Sequence, residues 1–281
     1  MVYVWVRTAM KNGVSAFKYK GWLLWATIGV GLLGQMGCQP IEHTPGLQTD
    51  WGQDSPLPAG QYHVIGRSLR GRPIIAQVFG AGSDVTLIIG TIHGDEAAGT
   101  PLVRRLARHL EDNRHLLQGR TVVLVPTANP DGKAAVTRGN ARGVDLNRNF
   151  PATNRENSRE YGMVGLSEPE AVAIHQLIRR YHPDRIVALH QPLACLDYDG
   201  PGQELAQRMA GQCKLPVKKI GARPGSLGSY AGETEGIPIV TMEMLKGDTL
   251  LSDTQLWVRY GDALLAAIES PSGPQDTWRA R

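Results

Sequence analysis

Residues 85–99, VTLIIGTIHGDEAAG, decide the fold of this chain of 281 residues. Val85–Ile89 carries apolar residues on both alternating sets of positions, which is the pattern of a strand buried on both faces of a sheet. Val122–Val125 repeats that pattern. Between the two runs, four apolar residues at helical spacing predict a helix packed on the sheet: Val103, Leu106, Ala107 and Leu110. The order strand, helix, strand predicts parallel pairing.

The rest of the body continues the alternation of β-branched runs and helical periodicity. Strand patterns occur in four further runs, the first two as a hairpin: Tyr62–Ile65, Pro73–Phe79, Ile186–Leu189 and Ile237–Met242. Helical patterns occur in three: Val172 to Ile178, Gln203 to Gln212 and Thr254 to Ile268. Ser167 and Glu170 precede the first of these and predict a capping box. We therefore expect a single α/β domain over residues 61–268, with a twisted, mixed and mostly parallel sheet and helices on both faces.

The charge distribution separates an N-terminal leader from this body. The chain has 30 Lys and Arg against 26 Asp and Glu, a formal charge of +4. The first 38 residues contain four basic residues and no acidic residue, which leaves 26 of each sign in the remainder. Because a nucleic-acid-binding domain carries its basic excess on the folded body, this neutral body predicts no nucleic-acid partner.

The leader, residues 1–38, has the pattern of an export signal. A dense apolar run, Trp22 to Leu33, follows Lys18 and Lys20. It is shorter than the roughly 20 residues of a spanning helix, which favours a signal-peptide core. Gly37-Cys38 resembles a lipoprotein cleavage site, although Gln35 departs from that pattern, so lipidation of Cys38, simple secretion and a retained anchor stay open. The leader predicts export to the cell envelope or periplasm, and lipidation or a retained anchor would add a membrane contact through the N-terminal segment.

Two flanking segments and two cysteines complete the description of the chain. Residues 39–60 are rich in Pro, Gly and polar residues and predict a flexible tether, and residues 269–281 predict a loose tail. Once Cys38 is assigned to the leader, Cys195 and Cys213 remain. Two cysteines exclude a disulfide framework, and two free thiols are favoured over a single bridge.

Three residues with metal-binding side chains follow predicted strands. His93 and Glu96 come after the VTLIIG strand and open the first predicted helix, and His190 closes the IVAL strand. Ligands bind outside the carboxyl ends of strands in open α/β sheets, so these side chains can converge there. Two His and one Glu form a known type of catalytic zinc site. The alternative is a capped helix start with a solvated Glu and a hydrogen-bonded His.

Several ordered motifs extend this pattern over about residues 60 to 265: HGDEAAG (93–99), NPDG (129–132), Arg138, GVDLNRNFP (143–151), SEPE (167–170), LHQPLAC (189–195) and PGSLGSY (224–230). With these motifs the chain resembles the zinc metallocarboxypeptidases of the carboxypeptidase A/B type. Within that family it looks most like the bacterial murein peptide amidase branch. The resemblance implies a zinc carboxypeptidase-like fold.

The resemblance also implies roles for individual residues. His93, Glu96 and His190 match the ligands of one Zn²⁺ per chain, and Glu243 matches the general base. Arg138 matches the arginine that stabilises the transition state, while Asn147 and Arg148 match the pair that binds the substrate carboxylate. The substrate-capping Tyr of the animal enzymes has no counterpart in the expected loop. Tyr230 is the nearest aromatic hydroxyl, either as a lining residue or as a packing residue of a short helix.

The implied activity is hydrolysis of an amide bond next to a residue with a free carboxylate. The branch resemblance implies the γ-D-glutamyl–diaminopimelate bond of murein peptides. Arg223 and Asp197 or Asp199 are additional candidates for contacting the zwitterionic side chain of diaminopimelate. Two alternatives are a broader carboxypeptidase acting on peptide C-termini and an inactive envelope lipoprotein that binds murein.

Overall fold

In a computed structural model, residues 60–270 of the chain are described. They contain one seven-stranded sheet in the order β1-β2-β4-β3-β5-β7-β6. The strands are β1 (Tyr62–Arg67), β2 (Pro73–Gly80), β3 (Asp84–Gly90), β4 (Arg120–Val125), β5 (Arg185–His190), β6 (Leu193–Asp199) and β7 (Ile239–Leu245). The predicted leader with Cys38, almost all of the predicted tether and residues 271–281 of the predicted tail lie outside the described residues.

The sheet is mixed, with parallel strands at its centre. Strands β4, β3, β5 and β7 run parallel to one another. Strand β2 pairs antiparallel with β4 and forms the predicted hairpin with β1, while β6 pairs antiparallel with β7 at the other edge. The α/β class, the single domain and the mixed sheet are therefore confirmed. Strand β6 was not predicted, because its sequence LACLDYD alternates apolar residues with Cys and Asp rather than presenting an apolar run.

Residues 60–270 contain five α-helices, four of which pack on the two faces of the sheet. They are α1 (Gly99–Asp112), α2 (Pro130–Ala135), α3 (Pro169–Tyr181), α4 (Gln203–Ala210) and α5 (Asp253–Glu269). Alternating residues of β3 enter two cores: Leu87 and Ile89 pack with α3, and Ile88 packs with α1, α4 and α5. Each fully buried aliphatic side chain contributes about 1.5–3 kcal/mol, so both faces stabilise the sheet. Within residues 60–270, no helix is long and apolar enough to cross a membrane.

Two local predictions at helix starts were wrong. Helix α1 begins at Gly99, so His93 and Glu96 lie in the loop between β3 and α1 and do not open the helix. Helix α3 has Glu168 as its N-cap residue and no side-chain cap, so the predicted capping box of Ser167 and Glu170 is absent. The carboxylates of Glu168 and Glu170 instead accept hydrogen bonds from the Asn140 amide, at 2.6 and 3.1 Å.

The two cysteines of the described body are separate. Cys195 is buried, Cys213 is half-buried, and both are free. The preference for free thiols is therefore confirmed. Cys195 lies on β6 directly opposite Glu243 of β7, at the edge of the sheet that borders the candidate active site.

Candidate active site and metal centre

The order in which the chain adds strands to the sheet reverses at β3, because β4 and β5 lie on opposite sides of it. From β3 the chain crosses through α1 to β4 on one side, and it later enters β5 on the other side of β3. Connections that leave in opposite directions open a crevice above the strand ends, which is where α/β folds bind ligands. His190 is the last residue of β5, and His93 and Glu96 follow β3. Topology thus brings together three side chains that are up to 97 residues apart in sequence.

The donor atoms of these three residues converge on one point. Nδ1 of His190 lies 3.0 Å from Nδ1 of His93 and 2.8 Å from Oε2 of Glu96. Nδ1 of His93 lies 2.9 Å from Oε1 of Glu96. All three residues are buried, at 2%, 2% and 7% exposure for His93, His190 and Glu96. Among residues 60–270 this is the one group of three or more such side chains arranged to hold a metal ion.

This donor set fits zinc. Two imidazole nitrogens and one carboxylate oxygen are ligands that zinc prefers, and a catalytic zinc site has three protein ligands. Donors bound at about 2.0–2.1 Å to one tetrahedral zinc lie about 3.3 Å apart, close to the separations seen here. Hydrogen bonds and charge from His190 and His93 hold the pKa of Glu96 well below its ordinary value despite burial, so its carboxylate is ionised and ready to ligate.

Asp145 organises the surroundings of the metal donors, and sequence reasoning gave it no role. Its Oδ1 lies 3.0 Å from Nε2 of His93, the ring nitrogen that does not face the other donors. Its Oδ2 accepts from Nε of Arg138 at 3.0 Å. A carboxylate in this place fixes the tautomer and orientation of a metal-binding imidazole. The sequence signal for Asp145 was its place in the GVDLNRNFP motif, of which only Asn147 and Arg148 were given a role in substrate binding.

Arg138 lies where the resemblance implied a transition-state arginine. Its Nη1 donates to Oε1 of Glu96 at 3.1 Å, in addition to the bond from Nε to Asp145. These two carboxylates fix the guanidinium beside the metal donors, and the group lines the same cavity as they do. The arginine fork presents five N–H donors, so donors remain for a substrate oxygen.

A close backbone contact supports the loop that carries His93 and Glu96. A Cβ on Gly94 would lie 2.0 Å from the carbonyl carbon of Gly132, so only glycine fits between this loop and helix α2. The Asn129 side chain donates to the carbonyl oxygen of Ile92 at 3.2 Å and accepts from the Gly132 N–H at 2.8 Å. The NPDG motif therefore shapes the metal-binding loop without touching the metal donors.

Glu243 stands beside the metal donors on the neighbouring strand. In the parallel pair of β5 and β7, Glu243 is the register partner of His190. The Leu193 N–H donates to its Oε2 at 3.3 Å. Burial raises the pKa of Glu243, partly offset by the nearby His190. A carboxylate whose pKa is moved toward neutral pH is suited to accept a proton and release it again.

The residues of the predicted carboxylate-binding pair line the same cavity, whose volume is about 250 Å³. Asn147 is held by its neighbours: its N–H donates to Asp145 Oδ1 at 2.8 Å, and its side-chain oxygen accepts from the Leu227 N–H at 2.8 Å. Nη1 of Arg148 donates to the Asn147 carbonyl oxygen at 2.5 Å. The remaining donors of this fixed, half-buried guanidinium suit a carboxylate.

Tyr230 does not belong to the site, so its assignment as a lining residue was wrong. The side chain is 1% exposed and lies in the core, in a stack with Phe150 at 6.1 Å between ring centroids. The His175 ring packs against it at 5.3 Å. Tyr230 is the packing residue of a π-helical turn (Gly228–Thr234). The wall of the cavity instead includes Asp197, Asp199 and Arg223.

Comparison with known proteins identifies the class. Residues 59–199 match the family of zinc carboxypeptidases, and the chain belongs to that family. It is therefore a hydrolase of the metallopeptidase type. Over 196 residues it is 40% identical to murein peptide amidase A of Escherichia coli strain K12, an alignment that covers 63% of this chain and 78% of that protein.

Solved structures agree with this assignment. The crystal structure of the murein-tripeptide amidase of Escherichia coli O157 matches with a TM-score of 0.59 and 29% identity, over 80% of this chain and 97% of that one. Bovine thrombin-activatable fibrinolysis inhibitor matches with a TM-score of 0.63 at 19% identity, over 74% and 88% of the two chains, and shares the fold. Glu243 lies beyond residues 59–199, so its place beside His190 is a finding of the structure.

Proposed function

We propose that this protein is a zinc-dependent amidase that cleaves murein peptides next to a residue with a free carboxylate. The observation that carries the proposal is the pairing of His190 with Glu243 on adjacent strands, which places a proton acceptor beside three converging metal donors. The likeness to murein peptide amidase A supports the substrate class. The bond proposed is γ-D-glutamyl–diaminopimelate.

His93, Glu96 and His190 would hold one Zn²⁺. A zinc ion held there supplies a Lewis acid for the scissile carbonyl and makes a water acidic enough to lose its proton near neutral pH. Asp145 keeps the His93 ring oriented for this task. All three donor residues are buried and line the cavity, so an ion held by them would be accessible to water from the cavity side.

The protein's own groups carry the proton transfer and bind the substrate. Glu243 takes the proton from the attacking water and delivers it to the leaving amine, a contribution of about 10²–10⁴-fold. Arg138 stabilises the oxygen that becomes negative in the transition state. Arg148 and Asn147 hold the free carboxylate on the leaving side, which fixes the scissile bond relative to Glu243.

Product analysis tests the proposal. The metal-loaded protein is incubated with the murein tripeptide L-alanyl-γ-D-glutamyl-diaminopimelate, and the products are identified by mass spectrometry. We expect free diaminopimelate and the dipeptide L-alanyl-D-glutamate. Absence of both products with intact metal content would reject the amidase assignment.

A broader carboxypeptidase is the second candidate, because a carboxylate-binding arginine and a general base suit any peptide C-terminus. Hippuryl dipeptides provide the comparison. A higher kcat/KM on these than on murein tripeptide would select the carboxypeptidase.

An inactive murein binder is disfavoured by the complete set of metal donors with Glu243, since binding alone requires no proton acceptor. Murein binding by a protein that takes up no zinc would select this alternative.

The proposal includes the location of the protein in the cell. The apolar leader supports export to the cell envelope, and Cys38 would provide a lipid anchor if it is the modified residue. Fractionation of cells that express the full chain or its Cys38→Ala variant tests both steps. Envelope location of the first and release of the second are expected for a lipoprotein, and a cytoplasmic full chain would contradict export.

A further inference from the structure

The side chain of Gln191 joins two separate chain segments beside the metal donors. Gln191 directly follows β5, is 5% exposed and lines the active-site cavity. Its Oε1 accepts from the Ala98 N–H at 3.3 Å and from the Thr249 hydroxyl at 3.2 Å. Its Nε2 donates to the carbonyl oxygens of Leu245 at 2.8 Å and Lys246 at 3.4 Å. An amide has two N–H donors and an oxygen with two lone pairs, so this buried side chain is fully used.

The first segment carries a proposed metal donor. Ala98 lies two residues after Glu96, at the end of the loop between β3 and α1. The backbone N–H of Gln191 donates to Oε2 of Glu96 itself, at 3.1 Å. Gln191 therefore holds this loop in two ways, with its backbone at the carboxylate of Glu96 and with its side chain at Ala98.

The second segment follows the proposed proton acceptor. Leu245 is the last residue of β7, two positions after Glu243. Its N–H donates to Oδ2 of Asp248 at 3.0 Å, and the Asp248 carboxylate also accepts from the Tyr260 hydroxyl of α5. Both backbone groups of Leu245 are thus engaged, the N–H by Asp248 and the carbonyl by Gln191. The turn after β7 is anchored on α5, and Gln191 connects this anchor to the metal-binding loop.

The order of the strands explains why a side chain makes this connection. Strand β5 lies between β3 and β7, so strand pairing does not join the loop after β3 to the turn after β7 directly. The amide of Gln191 reaches both from the end of β5. A misplacement of about 1 Å between catalytic groups can cost about 10²-fold in rate. The connection therefore bears on the chemistry as well as on the fold.

We propose that Gln191 is a positioning residue, which fixes Glu243 relative to the metal donors by tying the loop after β3 to the turn after β7. Its side chain acts through Ala98 on one side and Leu245 on the other, and it takes no proton itself. The inference rests on the proposed function for the role of Glu243 as proton acceptor. Its effect on the metal-binding loop does not depend on which peptide is cleaved.

Zinc affinity tests the connection to the metal-binding loop without catalysis. Gln191→Met keeps the length of the side chain and the backbone N–H, but it removes all four side-chain hydrogen bonds. In the full chain we expect zinc affinity, measured by competition with a chromophoric chelator, to fall about 10-fold, as for other residues that support metal ligands. Gln207→Met, at an exposed glutamine of α4, is the matched control and should bind zinc like the wild type. Wild-type affinity in Gln191→Met would overturn the inference.

Steady-state kinetics at saturating zinc test the connection to Glu243. Gln191→Met should lower kcat on the murein tripeptide about 10- to 100-fold and leave KM nearly unchanged, because the groups that bind the carboxylate are intact. Thr249→Val removes one of the four hydrogen bonds and should lower kcat by a smaller factor, so it carries the test if Gln191→Met does not fold. A raised KM with unchanged kcat would place Gln191 in substrate binding and reject the positioning role.

A double-mutant cycle separates positioning of Glu243 from general support of the fold. Once Glu243 is replaced by glutamine, Gln191→Met should cost little further kcat, because the effects of residues that act as a unit are not additive. The same fold-loss in both backgrounds would show that Gln191 acts independently of Glu243 and would overturn the inference. If the wild type does not cleave murein tripeptide, the proposed function fails, and the zinc affinities of the Gln191 and Gln207 variants still decide whether the connection exists.

Discussion

Oδ1 of Asp145 lies 3.0 Å from Nε2 of His93, on the side of the ring opposite the atom that faces the other metal donors. The same carboxylate accepts from Nε of Arg138. Hydrogen bonds to His93 and the charges around it keep the pKa of Asp145 below its ordinary value in spite of burial. One ionised side chain thus positions a metal donor and the arginine proposed for the transition state.

Replacing Asp145 should therefore impair metal binding as well as turnover. We expect Asp145→Asn to weaken zinc affinity by about 10- to 100-fold, because the His93 ring loses its orienting acceptor. Competition with a chromophoric chelator measures the affinity. Asp84→Asn is the control, since it removes a carboxylate at the amino end of β3 that pairs with Arg185 instead. Comparable losses of zinc affinity in both variants would contradict the orienting role.

Substitution of the proposed proton acceptor should separate metal binding from chemistry. Glu243→Gln should keep one zinc per chain and lower kcat by about 10²–10⁴-fold, since the amide cannot take the proton from the water. Metal analysis and steady-state kinetics on the same preparation measure both quantities. Glu111→Gln, at an exposed glutamate of α1, provides the matched control. Near wild-type turnover by Glu243→Gln would contradict the assignment of Glu243 as the proton acceptor.

Arg148 should act through the free carboxylate of the substrate. Arg148→Ala should raise KM about 10- to 100-fold for a peptide with a free carboxylate, the cost of a lost charged hydrogen bond. For the C-terminal amide of the same peptide, the variant and the wild type should be equally slow. Arg159→Ala, at an exposed position of the following loop, should behave like the wild type. An equal effect on acid and amide would show that Arg148 acts otherwise.

The contact between Gly94 and Gly132 should not tolerate a methyl group. In Gly94→Ala the new Cβ would meet the Gly132 carbonyl carbon at 2.0 Å, so the loop after β3 and helix α2 must separate. We expect a lower Tm and weaker zinc binding, because the displaced loop carries His93 and Glu96. Gly247→Ala adds the same methyl group where nothing lies within 4 Å and should change neither quantity. Unaltered zinc affinity in Gly94→Ala would refute the supporting role of the NPDG motif at the start of helix α2.

Burial raises the pKa of Asp199, which predicts a pH-dependent stability difference. Because that pKa moves from 3.8 to about 6 on folding, the folded state holds this proton more tightly than the unfolded chain does. The charged carboxylate therefore destabilises the protein above about pH 6, and the effect disappears below the unfolded pKa. Asp197, Glu233 and Lys219 are the charged groups that influence it.

Asp199→Asn should accordingly raise the free energy of unfolding at about pH 7.5, by about 1 kcal/mol after screening by solvent in the cavity, with a smaller gain at each lower pH. Thermal unfolding in the presence of a chelator, so that metal loss does not contribute, measures the difference across this range. A gain independent of pH, or a loss that grows toward alkaline pH, would contradict a buried charge at this position.

The central part of the fold could be predicted because its sequence patterns are strong. Val85–Ile89 and Val122–Val125 are apolar on both faces, and only a doubly covered sheet explains that. The metal donors were predictable for a related reason: His93, Glu96 and His190 follow such strands, whose ends meet in a parallel sheet. The motif resemblance then supplied Glu243, which the register of β5 and β7 places beside His190.

Other features depend on contacts that no local pattern encodes. The role of Asp145 requires a bond to a residue 52 positions away. Tyr230 carries a hydroxyl in a motif, yet the direction of its side chain follows from a π-helical turn that buries the ring against Phe150. Strand β6 mixes Asp and Cys with Leu because one face borders the cavity and the other enters a core, so its alternation is not one of solvent against core.

The antiparallel edge strand has a consequence for how this enzyme can change. The metal donors and Glu243 belong to β5, β7 and the loop after β3, whereas Asp197 and Asp199 belong to β6. The groups proposed for bond cleavage and the two acidic residues of the cavity wall are thus carried by different elements of the sheet. Substitutions in β6 or at Gly228 would therefore change the wall of the cavity without altering the elements that carry the three metal donors and Glu243.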